Sequence, residues 1–344
     1  MTKLSANFLR TLRSESEAAK QRLLLSLNGD GAGPILIAGA GCSWYAGYPT
    51  WEELTRRMNK VLLRNSLTKT DSESLAEFAD RILMEVSARD HDLRRYTTFL
   101  GDQFKREVAE LHFSGRASFH PVHAKLAQMP FAGVATTNYD CVLEDALYSV
   151  NAANNVGHEV AEGNATPPPT SVDLKEDSLG LVLDFLRSLS TAGRRRFVLH
   201  LHGVCTNAGG ILLTRSELEN AYAPRARNSR PAGDAAHALA TGPDGDVLDT
   251  LHRKVLWSLL TMHSVVFVGF DPTDPFFSLV LRVFMRDFGQ SSERHFALVP
   301  LPLYETQKTV AQLQESLRGL GVDCPRTAGH FLKRHLQVPR TQPG

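Results

Sequence analysis

Short apolar runs of four to seven residues punctuate the chain, and each is followed by a longer stretch whose apolar residues recur at helical spacing. The runs are Ile35–Ala38, Phe131–Thr137, Phe197–Leu201, Val265–Val268, His295–Val299 and a brief Val322–Cys324. Runs of this length bounded by glycine or polar residues predict buried parallel strands, and the intervening segments are long enough to cross over as helices. The expectation is an α/β fold: a doubly wound, mostly parallel, Rossmann-like sheet.

The helical stretches have recognisable starts and stops. Residues 1–30 carry Leu4, Phe8, Leu12, Ala19 and Leu23–Leu25 among charged positions and predict an N-terminal helical segment. Thr50 and Glu53 have the spacing of a capping box, so a helix should begin at Trp51. A helical insertion is expected over about 60–115, with Leu100, Phe104, Val108 and Leu111 on one stripe. Further helices are expected after Asp140, over 179–189, 247–260, 277–284 and 307–320, the last stopped by Gly321. Two segments lack periodicity and read as irregular excursions: 151–177, with its run of three prolines, and 224–246, rich in Ala, Gly, Pro, Arg and Asp. The sheet and its insertions thus occupy 31–335, with a tail at 336–344.

Composition narrows the class of function. Lys plus Arg number 38 against 37 Asp plus Glu, so no global field attracts nucleic acid or an acidic membrane, and no nucleic-acid site is evident. The four cysteines, Cys42, Cys141, Cys205 and Cys324, include no Cys-x-x-Cys pair, which argues against a disulfide framework and a four-cysteine zinc site. His120 and His123 lack a third ligand at suitable spacing, so no metal is expected. The N-terminus does not read as a signal peptide, and the apolar region around 257–270 is too short to span a membrane; a cytoplasmic protein is expected.

Chemistry concentrates where the predicted strands end. The first delivers Gly39, Ala40, Gly41, Cys42 and Ser43; the second Asn138, Tyr139 and Asp140; the third His202 and Gly203; the fourth Gly269, Phe270 and Asp271. Carboxyl ends of strands are where open α/β sheets bind ligands. Glycines at 39 and 41 would let main-chain N–H groups converge on an anion, with Ser43 as a further donor. Trp44 stands where a third glycine would complete the dehydrogenase fingerprint.

In order and spacing, these motifs resemble those of the sirtuin superfamily: Gly-Ala-Gly-x-Ser, then Thr-Gln-Asn-x-Asp, then His-Gly, then a glycine turn for the adenosine ribose. The resemblance covers about 34–322. The chain lacks the deacetylases' two Cys-x-x-Cys pairs, and after Tyr48-Pro49 it reads Thr50-Trp51-Glu52-Glu53 instead of their Asp-Phe-Arg. Both departures resemble the bacterial sirtuin-like branch that hydrolyses NAD in anti-phage defence, together with Thr136-Thr137-Asn138-Tyr139-Asp140, Gly269-Phe270 and Asp274-Pro275.

That resemblance implies NAD as the substrate, cleaved to nicotinamide and ADP-ribose. It implies catalytic roles for Asn138, His202 and Asp140, the last at the nicotinamide carboxamide. Gly39, Ala40, Gly41, Ser43, Tyr48, Trp51, Gly269, Phe270 and Asp271 are the expected nucleotide contacts. A neutral His202 suits a general base at neutral pH, and Asn138 can orient a ribose hydroxyl or water. An acidic Asp271 favours NAD over NADP, unless it caps the following helix. A toxic activity of this kind calls for control, so a homo-oligomer and a separate partner protein, by resemblance a HerA-like ATPase or a short Argonaute, are expected. Two other activities fit the same motifs: a zinc-free deacylase or ADP-ribosyltransferase, and a non-catalytic module that senses NAD or ADP-ribose.

Overall fold

A computed structural model describes residues 6–29, 33–44, 46–70, 73–89, 105–106, 119–153, 168–190, 196–222, 250–270, 295–298 and 322–323. Seven strands form one sheet: β1 (Ile35–Ala38), β2 (Gly133–Thr136), β3 (Thr170–Asp173), β4 (Phe197–His200), β5 (Val265–Val268), β6 (His295–Leu298) and β7 (Val322–Asp323). Their order is β3-β4-β2-β1-β5-β6-β7, and every pairing is parallel.

The helices are α1 (Ala6–Asn28), α2 (Ala40–Trp44), α3 (Trp51–Leu63), α4 (Leu75–Arg89), α5 (Pro121–Gln128), α6 (Val142–Ala153), α7 (Leu179–Ser188), α8 (Arg215–Tyr222) and α9 (Leu251–Met262). The doubly wound sheet expected from the apolar runs is therefore present, and α1 is a single helix. The capping box is present too. Glu53 N donates to Thr50 Oγ1 at 3.2 Å and Thr50 N donates to Glu53 Oε2 at 2.8 Å.

One strand escaped the sequence reading. The excursion expected at 151–177 contains β3, which pairs with β4 at the edge of the sheet. Thr170 is exposed and Ser171 half-buried, so the run is not apolar enough to read as a strand. The stripe at 100–111, the helices at 277–284 and 307–320, the excursion at 224–246, Asp271, Asp274 and Pro275 lie outside the described residues.

Alternate residues of each central strand feed opposite faces, as the pleat requires. Ile35, Ile37, Ala135, Leu199 and Phe267 pack with Phe185 of α7, Tyr222 of α8 and Trp257 of α9. Leu36, Ala38, Val134, Val198 and Val266 pack with Leu23 of α1, Leu126 of α5 and Leu147 of α6. A third cluster lies beyond the strands' carboxyl ends. There Leu54 and Met58 of α3, with Phe78 and Ile82 of α4, meet Tyr139, Val204, Cys205, Ile211 and Leu213. The helical insertion thus caps the segments that leave β2 and β4. No helix among the described residues is long and apolar enough to cross a membrane.

Candidate functional site

Winding reverses at β1. The chain proceeds from β1 to β2 on one side, and from β5 to β6 on the other, which puts the topological switch point between β1 and β5. The turns after these two strands touch through glycine. Gly39 N donates to Val268 O at 2.8 Å, Gly41 N to Gly269 O at 2.9 Å, and Cys42 N to Gly39 O at 2.9 Å. Gly269 has φ +76°, and a Cβ there would lie 2.5 Å from Cys42 N. Only glycine permits this approach.

This arrangement corrects one expectation. The amides of Gly39 and Gly41 were expected to cradle a pyrophosphate, yet both are already bonded to the end of β5. The two glycines let β1 and β5 end side by side. The helix expected near Ser43 starts earlier, at Ala40. Of the anion donors expected there, the Ala40 amide has no backbone acceptor among the described residues, and Ser43 keeps its hydroxyl.

Ser43 and Asn138 are joined directly. Asn138 is buried, and its Nδ2 donates to Ser43 Oγ at 2.7 Å and to Gly39 O at 3.0 Å. Both amide hydrogens are therefore committed, and the side chain presents Oδ1, an acceptor. Ser43 Oγ, accepting from Asn138, retains its own proton to donate. The backbone of Asn138 is fixed as well: its N–H donates to Thr136 Oγ1 at 3.0 Å, and its carbonyl meets His200 Nδ1 at 2.9 Å.

His200 is fully buried, and its other nitrogen, Nε2, lies 2.7 Å from Glu144 Oε1. A carbonyl and a carboxylate oxygen can only accept, so only the doubly protonated ring satisfies both. Burial alone would lower the pKa of His200, but the Glu144 carboxylate outweighs it and raises the pKa to about 9. Ser171 of β3 also donates to Glu144 Oε1. An imidazolium–carboxylate pair therefore sits behind Asn138. Its sequence signal was His200 itself, the last residue of β4, together with an acidic residue in the first turn of α6.

Asp140 is buried, and its Oδ1 accepts from Val142 N at 3.1 Å, an Asx turn that leads into α6. Its charge reaches the β1 turn and Tyr48. Burial and then Asp140 push the Cys42 thiol and the Tyr48 hydroxyl up to about 12 each. His123 holds the same turn from α5: its Nδ1 accepts from His120 N at 2.9 Å, so Nε2 carries the hydrogen and donates to Cys42 O at 2.8 Å. Burial keeps its pKa below the ordinary value. The two histidines considered as metal ligands thus serve as a helix cap and a tether.

Thr136 pairs with His200 in register, so Asn138 and His202 begin neighbouring loops two residues further on. The His202 ring packs edge-on to Tyr222 at 5.9 Å, and Tyr222 packs likewise against His252 at 5.5 Å. Burial and then His252 push the pKa of His202 down to about 3, and burial pushes that of His252 down to about 4. Both rings are neutral at neutral pH. Gly203, at φ +88°, lets the chain turn tightly under Gly210, whose oxygen would lie 2.2 Å from an added Cβ. The glycine after His202 is therefore required by packing.

Of the remaining expected contacts, Tyr48 is buried, and its N–H donates to Ser43 O at 3.3 Å. Trp51 opens α3 and packs on the capping cluster. Phe270 lies edge-on to Phe267 at 5.8 Å, within 3.0 Å of where a Gly39 Cβ would stand. The structure thus groups Gly39, Ser43, Asn138, Asp140, Tyr48, Gly269 and Phe270 around the ends of β1, β2 and β5. It sets His202 at the end of β4, and Asp271 lies outside the described residues.

The chain is 24% identical over 263 residues to "NAD(+) hydrolase ThsA" of Acinetobacter baumannii (strain 532279), covering 76% of this chain and 41% of that protein. It is 21% identical over 264 residues to "NAD(+) hydrolase ThsA" of Bacillus cereus (strain MSX-D12), covering 77% and 42%. The chain thus spans about two fifths of the length of these relatives. The SIR2-like domain matches residues 132–321, more than half of the chain and including Asn138, Asp140, His202 and Gly269. The chain therefore belongs to the SIR2-like domain family.

Proposed function

We propose that this protein hydrolyses NAD+ to nicotinamide and ADP-ribose. One observation carries the reading: the buried Asn138 is held by Gly39 and Ser43 so that its Oδ1 remains as acceptor, on the loop adjoining the neutral, buried His202. Cleavage of the nicotinamide bond builds positive charge on the ribose and needs a water or hydroxyl held in place. Asn138 Oδ1 accepts a hydrogen bond from that water or from a ribose hydroxyl. His202 takes up the proton as general base, a role that requires bound substrate to raise its pKa from about 3. Ser43 Oγ and the Ala40 amide donate to the pyrophosphate. Asp140 bonds the nicotinamide carboxamide, and Tyr48, Trp51, Gly269, Phe270 and Asp271 line the rest of the nucleotide path. None of these steps calls on a metal.

The names of the two relatives and the absence of a Cys-x-x-Cys zinc module favour water as the acceptor over an acyl group or a protein side chain. The physiological role that follows is NAD depletion in cytoplasmic anti-phage defence. Such an activity must be restrained, by self-assembly or by a separate partner of the HerA-like ATPase or short Argonaute kind.

The test is nicotinamide release from NAD+ by the purified protein, alone and with the product of its neighbouring gene. Asn138→Ala and His202→Ala should each lower the rate at least about 10²-fold. ADP-ribose recovered on an acyl group or a protein would select the transferase reading. Tight NAD binding without turnover would select a sensing module.

A further inference from the structure

We propose that Cys141 and Cys205 form a reversible disulfide that joins the two loops carrying Asn138 and His202. The two residues are 64 positions apart in sequence, yet their sulfurs lie 3.8 Å from each other, in van der Waals contact. Both are free thiols. Each follows a candidate catalytic residue by three positions: Cys141 comes after Asn138 on the β2 side, and Cys205 after His202 on the β4 side. Their backbones are already laced together, since Cys205 N donates to Tyr139 O at 2.6 Å. A disulfide requires the sulfurs to close to about 2.05 Å, so the loops need to approach by less than about 2 Å.

The two thiols differ in access. Cys141 is half-buried at the start of α6, whereas Cys205 is 6% exposed beneath the helical cap. A small peroxide therefore reaches Cys141 first, although contact with Cys205 and burial push its thiol well above the ordinary range, so the attack is slow. The Cys141 sulfur attacks one peroxide oxygen, the O–O bond breaks, and a sulfenic acid and water result. The Cys205 sulfur then attacks the Cys141 sulfur, the S–O bond breaks, and a second water leaves with the Cys205 proton. Two thiols have lost two electrons to one hydrogen peroxide, which yields two waters. A dithiol reductant reverses the bond by exchange.

Cys42 provides the internal contrast. It too is buried beside the site, but its Sγ donates to Val268 O at 3.4 Å and no second thiol faces it among the described residues. It should stay reduced while the pair oxidises.

The consequence for turnover rests on the NAD-cleaving reading. Drawing the two loops together moves Asn138 relative to His202, and displacements of about 1 Å in such a site can cost about 10²-fold in rate. The disulfide is thus a brake released by reduction.

The experiment treats the full-length protein with hydrogen peroxide, alkylates the remaining thiols, and maps the peptides by mass spectrometry. The expected result is a peptide pair linked through Cys141 and Cys205, with Cys42 still alkylated. Nicotinamide release should fall at least about tenfold and return after dithiothreitol. In Cys141→Ser and Cys205→Ser the cross-link should vanish and the rate should become indifferent to peroxide. Cys141→Ala and Cys205→Ala repeat the test should a serine be tolerated poorly. Two thiols that both remain alkylated, or that reach sulfinic acid separately, would overturn the disulfide. A cross-link with unchanged turnover would overturn the brake. A cross-link in a protein that never releases nicotinamide would retain the disulfide and refute NAD cleavage.

Discussion

His200 and His202 stand two positions apart, one at the end of β4 and one just beyond it, both buried, and the structure gives them opposite charge states. His200 faces two acceptors, the Asn138 carbonyl and the Glu144 carboxylate, and is held as a cation. His202 faces the edge of Tyr222 and is pushed toward neutrality by burial and by His252. Burial acts on both in the same direction, so the partner decides the outcome. A ring held charged between two fixed acceptors is a poor proton acceptor, but it fixes the backbone of Asn138. A neutral ring at the adjoining loop keeps a lone pair for a proton, but the burial that holds its pKa at about 3 makes it a weak base in the free protein. Positioning and proton transfer are thereby divided between two residues of one type.

The most severe way to break this contrast is Glu144→Ala, which leaves the imidazolium of His200 buried without its counter-charge. Removing one member of a buried pair costs about 3–5 kcal/mol, and urea denaturation measures it. Glu144 Oε2 has no partner among the described residues, so Oε1 carries the carboxylate's attachment to His200 and Ser171. In NMR titration the His200 signal of the variant should move well below its wild-type midpoint, while that of His202 should not move. A loss below about 1 kcal/mol would mean that the pair does not exist as an ion pair.

The pH dependence of stability separates the two rings without mutation. His200 has its pKa raised from 6.5 to about 9, so its stabilisation is complete below about 6.5 and is lost as the pH rises through 9. His202 has its pKa lowered to about 3 and His252 to about 4. The unfolded chain binds protons at these two groups between about 6.5 and 3, and the folded protein does not. Their contribution therefore falls as the pH drops below about 6.5. Thermal melts should show greatest stability near pH 6.5, with a decline between about 6.5 and 9 as the His200 contribution is lost and another below about 6.5 as the unfolded chain takes up protons at His202 and His252. A decline on the alkaline side that persists in a folded Glu144→Gln variant would assign it to groups other than His200.

The strands that frame this contrast were legible because Ile35–Ala38 and Val265–Val268 are apolar on both faces, as central parallel strands must be. The edge strand Thr170–Asp173 was not, since its exposed face is polar. Asn138, Asp140 and His202 could be singled out because polar residues at the ends of such strands need a reason to be there. The partner of His200 could not. Glu144 lies 56 residues away on α6, and a carboxylate in a first helical turn is ordinarily solvated and favoured by the helix dipole. The glycines misled in an instructive way: Gly39 and Gly41 permit an anion nest, but they equally permit two backbones to touch, and spacing alone does not distinguish these uses.

The smallest expected effect sharpens the neutral side of the comparison. Tyr222 supports His202 twice: its ring meets the imidazole edge-on, and its hydroxyl donates to Leu201 O at 2.7 Å, fixing the backbone beside the histidine. Tyr222→Phe keeps the ring and deletes only that hydrogen bond. The Leu201 carbonyl then loses a buried donor, which costs about 1 kcal/mol. The apolar surroundings of His202 are retained, so its titration should remain far below 6.5. Tyr222→Ala removes the ring as well, admits water beside the imidazole, and should raise the His202 midpoint toward its ordinary value while costing about 3–5 kcal/mol. The split between the two variants tells whether desolvation by the ring keeps His202 neutral. If Tyr222→Phe raised the midpoint as far as Tyr222→Ala did, the hydroxyl and not the ring would be responsible.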